Sequence, residues 1–219
     1  MWCIGKITRE YRKRMYKILD LYKLPYDPKF PLYCMDEKSK QLLLNTRTPI
    51  KMSPGKVEKI DYEYKRSGTR NIFVAVDPKT GKHLIRVTKR RTKKDFVGFV
   101  REIINHAPKE AVKTRIVLDN LNTHFAGSFY ENLPKEEADK LLEKIEFYYT
   151  PKHASWLNMA EIEISMMEEE CIGRRIGSEK ELVEEIASWE EQMNRERRKI
   201  KWEFTKRDAY KKLAKRYVA

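Results

Sequence analysis

Apolar residues along this chain follow two different periods. Short, nearly unbroken aliphatic and aromatic runs at 32–35, 71–76, 84–87, 116–119 and 145–149 read as strands buried within a sheet. The apolar triplet at 42–44 predicts a further short strand. Between the second and third runs, Asp77-Pro78-Lys79-Thr80-Gly81-Lys82 is a turn sequence and predicts a hairpin. Elsewhere a helical period takes over. At 92–105 it places Phe96, Phe99, Val100 and Ile103 on one face. Helices are also predicted at 11–22, inside 126–133, at 134–144, from about Glu161 onward, at 178–197 and, as a basic amphipathic helix, at 205–217. Pro25, Pro28 and Pro31 punctuate the chain as a linker, so the core starts near Leu32.

Strands with a hairpin, then alternating helix and strand, then helices: this is the order of an α/β ribonuclease-H-like fold, with a mixed five-stranded sheet flanked by helices. The expected division is a basic helical segment and Pro-rich linker at 1–31, the ribonuclease-H-like domain at 32–175, and a helical extension of that domain at 176–219. In such a fold the first strand is central and the strand after the first helix lies beside it. Residues at the ends of runs 32–35 and 116–119 would then meet.

Those ends are acidic. Asp36 follows Leu-Tyr-Cys-Met, Asp119 follows Arg-Ile-Val-Leu, and Glu161 opens a helical pattern after Ser-Trp-Leu-Asn-Met-Ala. Carboxylates delivered to one edge of a sheet repel one another unless divalent cations neutralise them, which points to a metal site. Phosphodiester exchange needs charge neutralised on both the entering and the leaving oxygen, and a pair of divalent ions supplies it. Asp36 or Asp119 would bridge the pair and Glu161 would hold one ion from the helix. The alternative reading is three ordinary turn caps or surface ion pairs. Glu163 is the rival for the third position, but with Asn158 as N-cap it falls on the other side of the helix, near Glu170. Glu37 points to the opposite face of a continuing strand from Asp36 and is set aside. If the acids only repel one another, Asp119→Asn should leave the metal-free fold as stable as before.

Charge names the partner more firmly than it names the chemistry. The chain has 47 Lys plus Arg against 33 Asp plus Glu in 219 residues, a net charge of +14. That excess favours a polyanion, with nucleic acid first, although 37% charged residues would also suit a solvating or heat-adapted surface. The densest basic run, Lys89, Arg90, Arg91, Lys93 and Lys94, is either a solvated hairpin exit or a patch for a phosphate backbone. Lys38 and Lys152 stand near the acids in sequence and would neutralise phosphate. His153 suits DNA contact better than ligation, because a site of this kind favours oxygen ligands. His124 would orient water or phosphate, or cap the following helix. Three cysteines (Cys3, Cys34, Cys171) in no paired spacing support neither a disulfide framework nor a zinc site, and a reducing, cytoplasmic setting is expected. No run approaches the ~20 apolar residues of a membrane span.

Four stretches together carry a family resemblance: Met-Asp-Glu-Lys-Ser-Lys-Gln (35–41), Asp-Tyr-Glu-Tyr-Lys-Arg-Ser-Gly-Thr (61–69), Leu-Asp-Asn-Leu-Asn-Thr-His (118–124) and Tyr-Thr-Pro-Lys-His-Ala-Ser-Trp-Leu-Asn-Met-Ala-Glu-Ile-Glu (149–163). The chain resembles the catalytic domain of prokaryotic insertion-sequence transposases of the Tc/mariner superfamily. The resemblance implies a DDE transposase in which Asp36, Asp119 and Glu161 are the three acids, with 42 positions between the last two. It further implies Mg²⁺, with Mn²⁺ able to substitute, and double-stranded DNA as partner, both element ends and target, bound by a homodimer. In that family a water cuts at the element end and the freed 3′-hydroxyl attacks target DNA. Full-length members carry helix-turn-helix modules ahead of the catalytic domain. The expectation here is that those modules are absent: either the element is split into two reading frames, with a separately encoded helix-turn-helix subunit for end recognition, or the chain is a decayed or separately expressed catalytic piece. Two other readings remain: a ribonuclease-H-like nuclease that cuts without joining, and a non-catalytic DNA-binding regulator derived from a transposase.

Overall fold

The structure, a computed structural model, describes residues 6–217. Cys3 and the other expectations that fall on 1–5 and 218–219 lie outside the described residues. Five strands form one sheet: β1 (Leu32–Asn45), β2 (Tyr64–Asp77), β3 (Lys82–Thr88), β4 (Thr114–Leu118) and β5 (Ile145–Tyr149), in the order β3-β2-β1-β4-β5. The first three are antiparallel, while β4 runs parallel to both β1 and β5. The sheet is therefore mixed, with β1 at its centre.

Alternation along β1 divides the core between the two faces. Tyr33 and Met35 point toward α2 (Lys93–His106), α3 (Gly127–Asn132) and α4 (Lys135–Glu143), where Phe73, Phe96, Phe99 and Phe129 fill the interior. Cys34 and Leu42 face the other layer, built from α1 (Arg9–Lys23), α5 (Ala160–Met167) and α6 (Glu179–Glu196). The helix starts follow from local chemistry: Thr92 and Asp95 form a capping box at α2, Ser178 caps α6, and Thr205 with Asp208 boxes the start of α7 (Lys206–Leu213).

Three expectations need correction. The triplet 42–44 is not a separate strand: β1 continues through it, with a bulge between Gln41 and Leu43. The strand expected at 71–76 begins at Tyr64, because residues 64–69 are exposed and held by ladder bonds to β1 rather than by burial. The helix expected to 217 ends at Leu213 and finishes in a 3₁₀ turn, Ala214–Arg216. In addition, α1 is no loose arm. It buries Met15, Ile18, Leu19, Leu21 and Tyr22, some against the sheet and some against Ala209 and Leu213 of α7.

The hairpin turn after β2 is fixed by two residues. Asp77 Oδ1 accepts the N–H groups of Lys79 (2.8 Å) and Thr80 (3.2 Å), and Gly81 adopts φ +70° where an added Cβ would stand 2.5 Å from the Arg197 carbonyl carbon.

Candidate active site

Register brings the first two acids together. Cys34 of β1 lies opposite Val117 of β4, so two residues further along each parallel chain come Asp36 and Asp119. Asp36 is not at a strand end as the sequence pattern suggested. It lies within β1, paired with Val74 of β2, at the point where β4 has stopped and left that side of β1 open. Asp119 lies just beyond β4, its side chain 29% exposed. Glu161 arrives from the first turn of α5.

These groups sense one another's charge. Burial above all, and then repulsion from Glu161, Asp119 and Glu37, push Asp36 up to about 7, even though the Glu37 N–H donates to its Oδ1 at 2.8 Å. The Oδ2 of Asp36 accepts from Asn158 Nδ2 at 3.2 Å. Among the described residues the Glu161 carboxylate accepts no hydrogen bond and pairs with no cation. No set of three or more His, Cys, Asp and Glu groups among the described residues closes into a ready-made metal cage. What exists is an open cluster of hard oxygen donors. That suits Mg²⁺ or Mn²⁺, which keep several waters and take few protein ligands, better than a structural site.

Asn158 was expected to be the N-cap that puts Glu161 at the third helical position. Its Oδ1 does accept from the Ala160 N–H at 3.3 Å, but the helix begins at Ala160, so Glu161 is the second helical residue. The other end of Asn158, wholly buried, donates to Met35 O at 2.7 Å as well as to Asp36. It links β1 to the start of α5, a role its place three residues before Glu161 did not reveal.

Glu163 is on the buried stripe of α5 with Ala160, Ile164 and Met167, not on an outer face. It meets His83 Nε2 at 2.6 Å, and the His83 ring stands edge-on to Trp189 of α6. That turns it toward β3 and α6. Beyond α5 the helix widens into one π turn, Glu168–Ile172, which closes at Gly173.

His124 differs most from expectation. It was grouped with DNA contacts, but the structure buries it completely and occupies both ring nitrogens: Nδ1 is 2.7 Å from Asp119 Oδ1 and Nε2 is 2.7 Å from Glu37 Oε1. Burial opposes a charge on this ring. The hydrogen bonds and negative charges of Asp119 and Glu37 overcome that and hold it at about 9. Glu37, whose side chain is 1% exposed, does point to the opposite face from Asp36; that face meets the loop after β4, which strand alternation alone does not disclose.

The expected basic residues are mostly at the surface. Lys38 shares the face of Asp36 and approaches Glu168 at 3.4 Å. Lys89, Arg90 and Lys94 are exposed, Lys93 pairs with Glu131 at 2.7 Å, and Arg91 reaches 3.7 Å from Glu37 Oε2. Lys152 and the positive-φ His153 project into a cleft of about 570 Å³ bounded by Lys6, Tyr11, Arg14 and Asn120. Arg14 of α1 donates to Asn120 Oδ1 at 2.7 Å, next in sequence to Asp119, so the N-terminal helix forms a wall of the site.

A mixed five-stranded sheet flanked by helices, with Asp36 and Asp119 side by side where its central strands part, defines an α/β domain of the ribonuclease-H-like class. The pattern of the DDE superfamily endonucleases matches residues 31–183, and the chain belongs to that family. No curated protein matches it. Among solved structures, the fold is similar to the Mos1 mariner paired-end complex with Mn: 15% identity over 89% of this chain and 60% of that one, TM-score 0.54. It is similar also to the Mos1 transposase paired-end complex with left transposon end (14% identity, 90% and 61% covered, TM-score 0.55) and to the Mos1 strand transfer complex (15%, 85% and 57%, TM-score 0.53). The chain thus spans about 60% of the length of those transposases.

Proposed function

We propose that this chain is the catalytic domain of an insertion-sequence DDE transposase, cutting DNA at an element end and joining the freed 3′-hydroxyl to target DNA. The observation that carries the reading is the β1–β4 register that sets Asp36 beside Asp119, with Asn158 tying Asp36 to the start of α5, which carries Glu161. All three lie within the stretch matched to the DDE endonucleases.

Asp36, Asp119 and Glu161 are the residues that would hold Mg²⁺ or Mn²⁺. A pair of such ions supplies charge neutralisation for the entering and leaving oxygens of phosphodiester exchange. The protein's own part is placement. The β1–β4 register and Asn158 fix the two aspartates, the α5 start delivers Glu161, and Lys38, Lys152, His153 and the 89–94 run address the phosphates on either side. Duplex DNA, a homodimer assembled on it, and a separately encoded helix-turn-helix subunit belong to the same proposal. Mos1 transposase seen in paired-end complexes supports the first.

The test uses a duplex ending in a pre-cut 3′-hydroxyl, a labelled target duplex, and Mn²⁺ or Mg²⁺. Joined product supports the transposase. Cleavage with no joining, with or without a helix-turn-helix partner, selects the nuclease. DNA binding with neither reaction selects the regulator.

A further inference from the structure

His124 is a wholly buried imidazole held between two carboxylates, 2.7 Å from Asp119 on one side and 2.7 Å from Glu37 on the other. A ring so placed has both nitrogens engaged and acts as a rigid spacer between two carboxyl groups. Its freedom to swing is removed from three directions. The Phe96 ring lies 4.7 Å away, Tyr149 Oη donates to the His124 carbonyl at 2.7 Å, and Ser128 Oγ donates to the Thr123 carbonyl at 2.8 Å. Glu37 is itself confined: its side chain is 1% exposed, and Arg91 stands 3.7 Å from the oxygen that His124 does not use.

The consequence for Asp119 is a division of labour between its oxygens. Oδ1 is taken by His124 and by the Leu121 N–H at 3.2 Å, while Oδ2 accepts no hydrogen bond among the described residues. Glu37 is the neighbour of Asp36 in β1, so the bridge also ties the strand bearing the first acid to the loop bearing the second, from the far face of the sheet. β4 ends at Leu118 and gives Asp119 no ladder bonds of its own, so some other fastening is required.

We propose that His124, anchored by Glu37, is a positioning residue that orients the Asp119 carboxylate for divalent-metal binding. This rests on the reading of Asp36, Asp119 and Glu161 as metal ligands. Outer-shell partners of ligating groups generally set metal affinity within about 10–100-fold.

Mn²⁺ binding to the full chain, followed by calorimetry and by the paramagnetic resonance of bound Mn²⁺, tests it without reliance on turnover. His124→Gln, which presents its donors from a single nitrogen, should weaken Mn²⁺ binding by about 10–100-fold and leave metal-free duplex binding unchanged. Glu37→Gln should weaken it by a smaller factor in the same direction. Thr205→Ala, which removes the capping box at the start of α7, serves as the control. It should lower the melting temperature and leave Mn²⁺ affinity alone. Wild-type Mn²⁺ affinity in His124→Gln overturns the positioning role while the metal-site reading stands. If His124→Gln melts below the assay temperature, Glu37→Gln decides, with unchanged affinity again overturning the role. A wild-type chain that binds no Mn²⁺ overturns the metal-site reading itself.

Discussion

Asp119 is both an expected ligand and half of a buried ion pair, and the second role changes what its substitution does. Repulsion alone predicts that Asp119→Asn spares the metal-free fold. With His124 held charged against Asp119 Oδ1 at 2.7 Å, the amide instead leaves a buried cation with one compensating carboxylate rather than two. Asp119→Asn should therefore abolish cleavage and also lower metal-free stability by about 1–3 kcal/mol, read as a fall in melting temperature; an unchanged or raised value would restore the repulsion view. Glu161 and Glu163 separate in the same way. Glu161→Gln removes an unpaired charge that raises the pKa of Asp36, so activity should vanish with melting temperature unchanged or higher. Glu163→Gln alters the buried contact to His83, so it should cost about 1 kcal/mol while metal-dependent cleavage persists. The reverse pattern of dead and active variants would reassign the third acid. Asp77 offers a pH readout away from the site. Burial raises its pKa, outweighing the N–H groups of Lys79 and Thr80 that donate to it. A carboxyl whose pKa is higher folded than unfolded costs stability when ionised, and that cost fades as pH falls. Asp77→Asn keeps the turn acceptor, so it should be more stable than wild type near pH 7, with the advantage shrinking toward acid. An advantage constant with pH would place its origin elsewhere.

At the scale of elements, α5 positions Glu161 through what surrounds it more than through its own sequence. Glu163 fastens it to β3, Asn158 fastens its start to β1, and the π turn Glu168–Ile172 ends it at Gly173. An added Cβ at Gly173 would sit 2.4 Å from the Glu168 carbonyl oxygen, backbone that cannot easily yield. Gly173→Ala should lower stability by about 1–3 kcal/mol and reduce cleavage by displacing α5, whereas Gly127→Ala, with open space around it, should do neither. Thermal melts and cleavage rates of the two variants check this. The same elements show what a single sequence discloses. Strands with buried apolar runs, the Asp77–Gly81 turn and the capped starts of α2, α6 and α7 were all legible because each rests on neighbours in sequence. The meeting of Asp36 and Asp119 was legible from the order of elements. The polar halves of β1 and β2 were not, since their pairing is to each other and leaves no apolar trace. Nor was the Glu37–His124 bridge, which joins residues 87 positions apart across a sheet edge.

Across the whole molecule, charge is distributed unevenly between pairing and display. Lys93, Arg101 and Arg174 are paired with Glu131, Glu137 and the Glu181/Glu185 couple, and such exposed pairs contribute little to stability. Lys89, Arg90, Lys94 and Lys152 are instead exposed, and with a net charge of +14 they offer a polyanion several point contacts at once. Lysine and arginine heads on phosphates release counterions without reading bases. Duplex binding by this chain alone should therefore be indifferent to sequence and steeply salt-dependent, the logarithm of affinity falling linearly with the logarithm of salt at about 0.9 per phosphate neutralised. Lys152→Gln should weaken binding to every duplex alike and reduce that slope by about 1, because its cleft lies beside Asp119 and addresses one phosphate. Equilibrium titrations of wild type and variant over a salt series measure both quantities. Strong preference for one duplex sequence at moderate salt, or a slope that Lys152→Gln leaves untouched, would mean that groups other than these exposed cations hold the DNA.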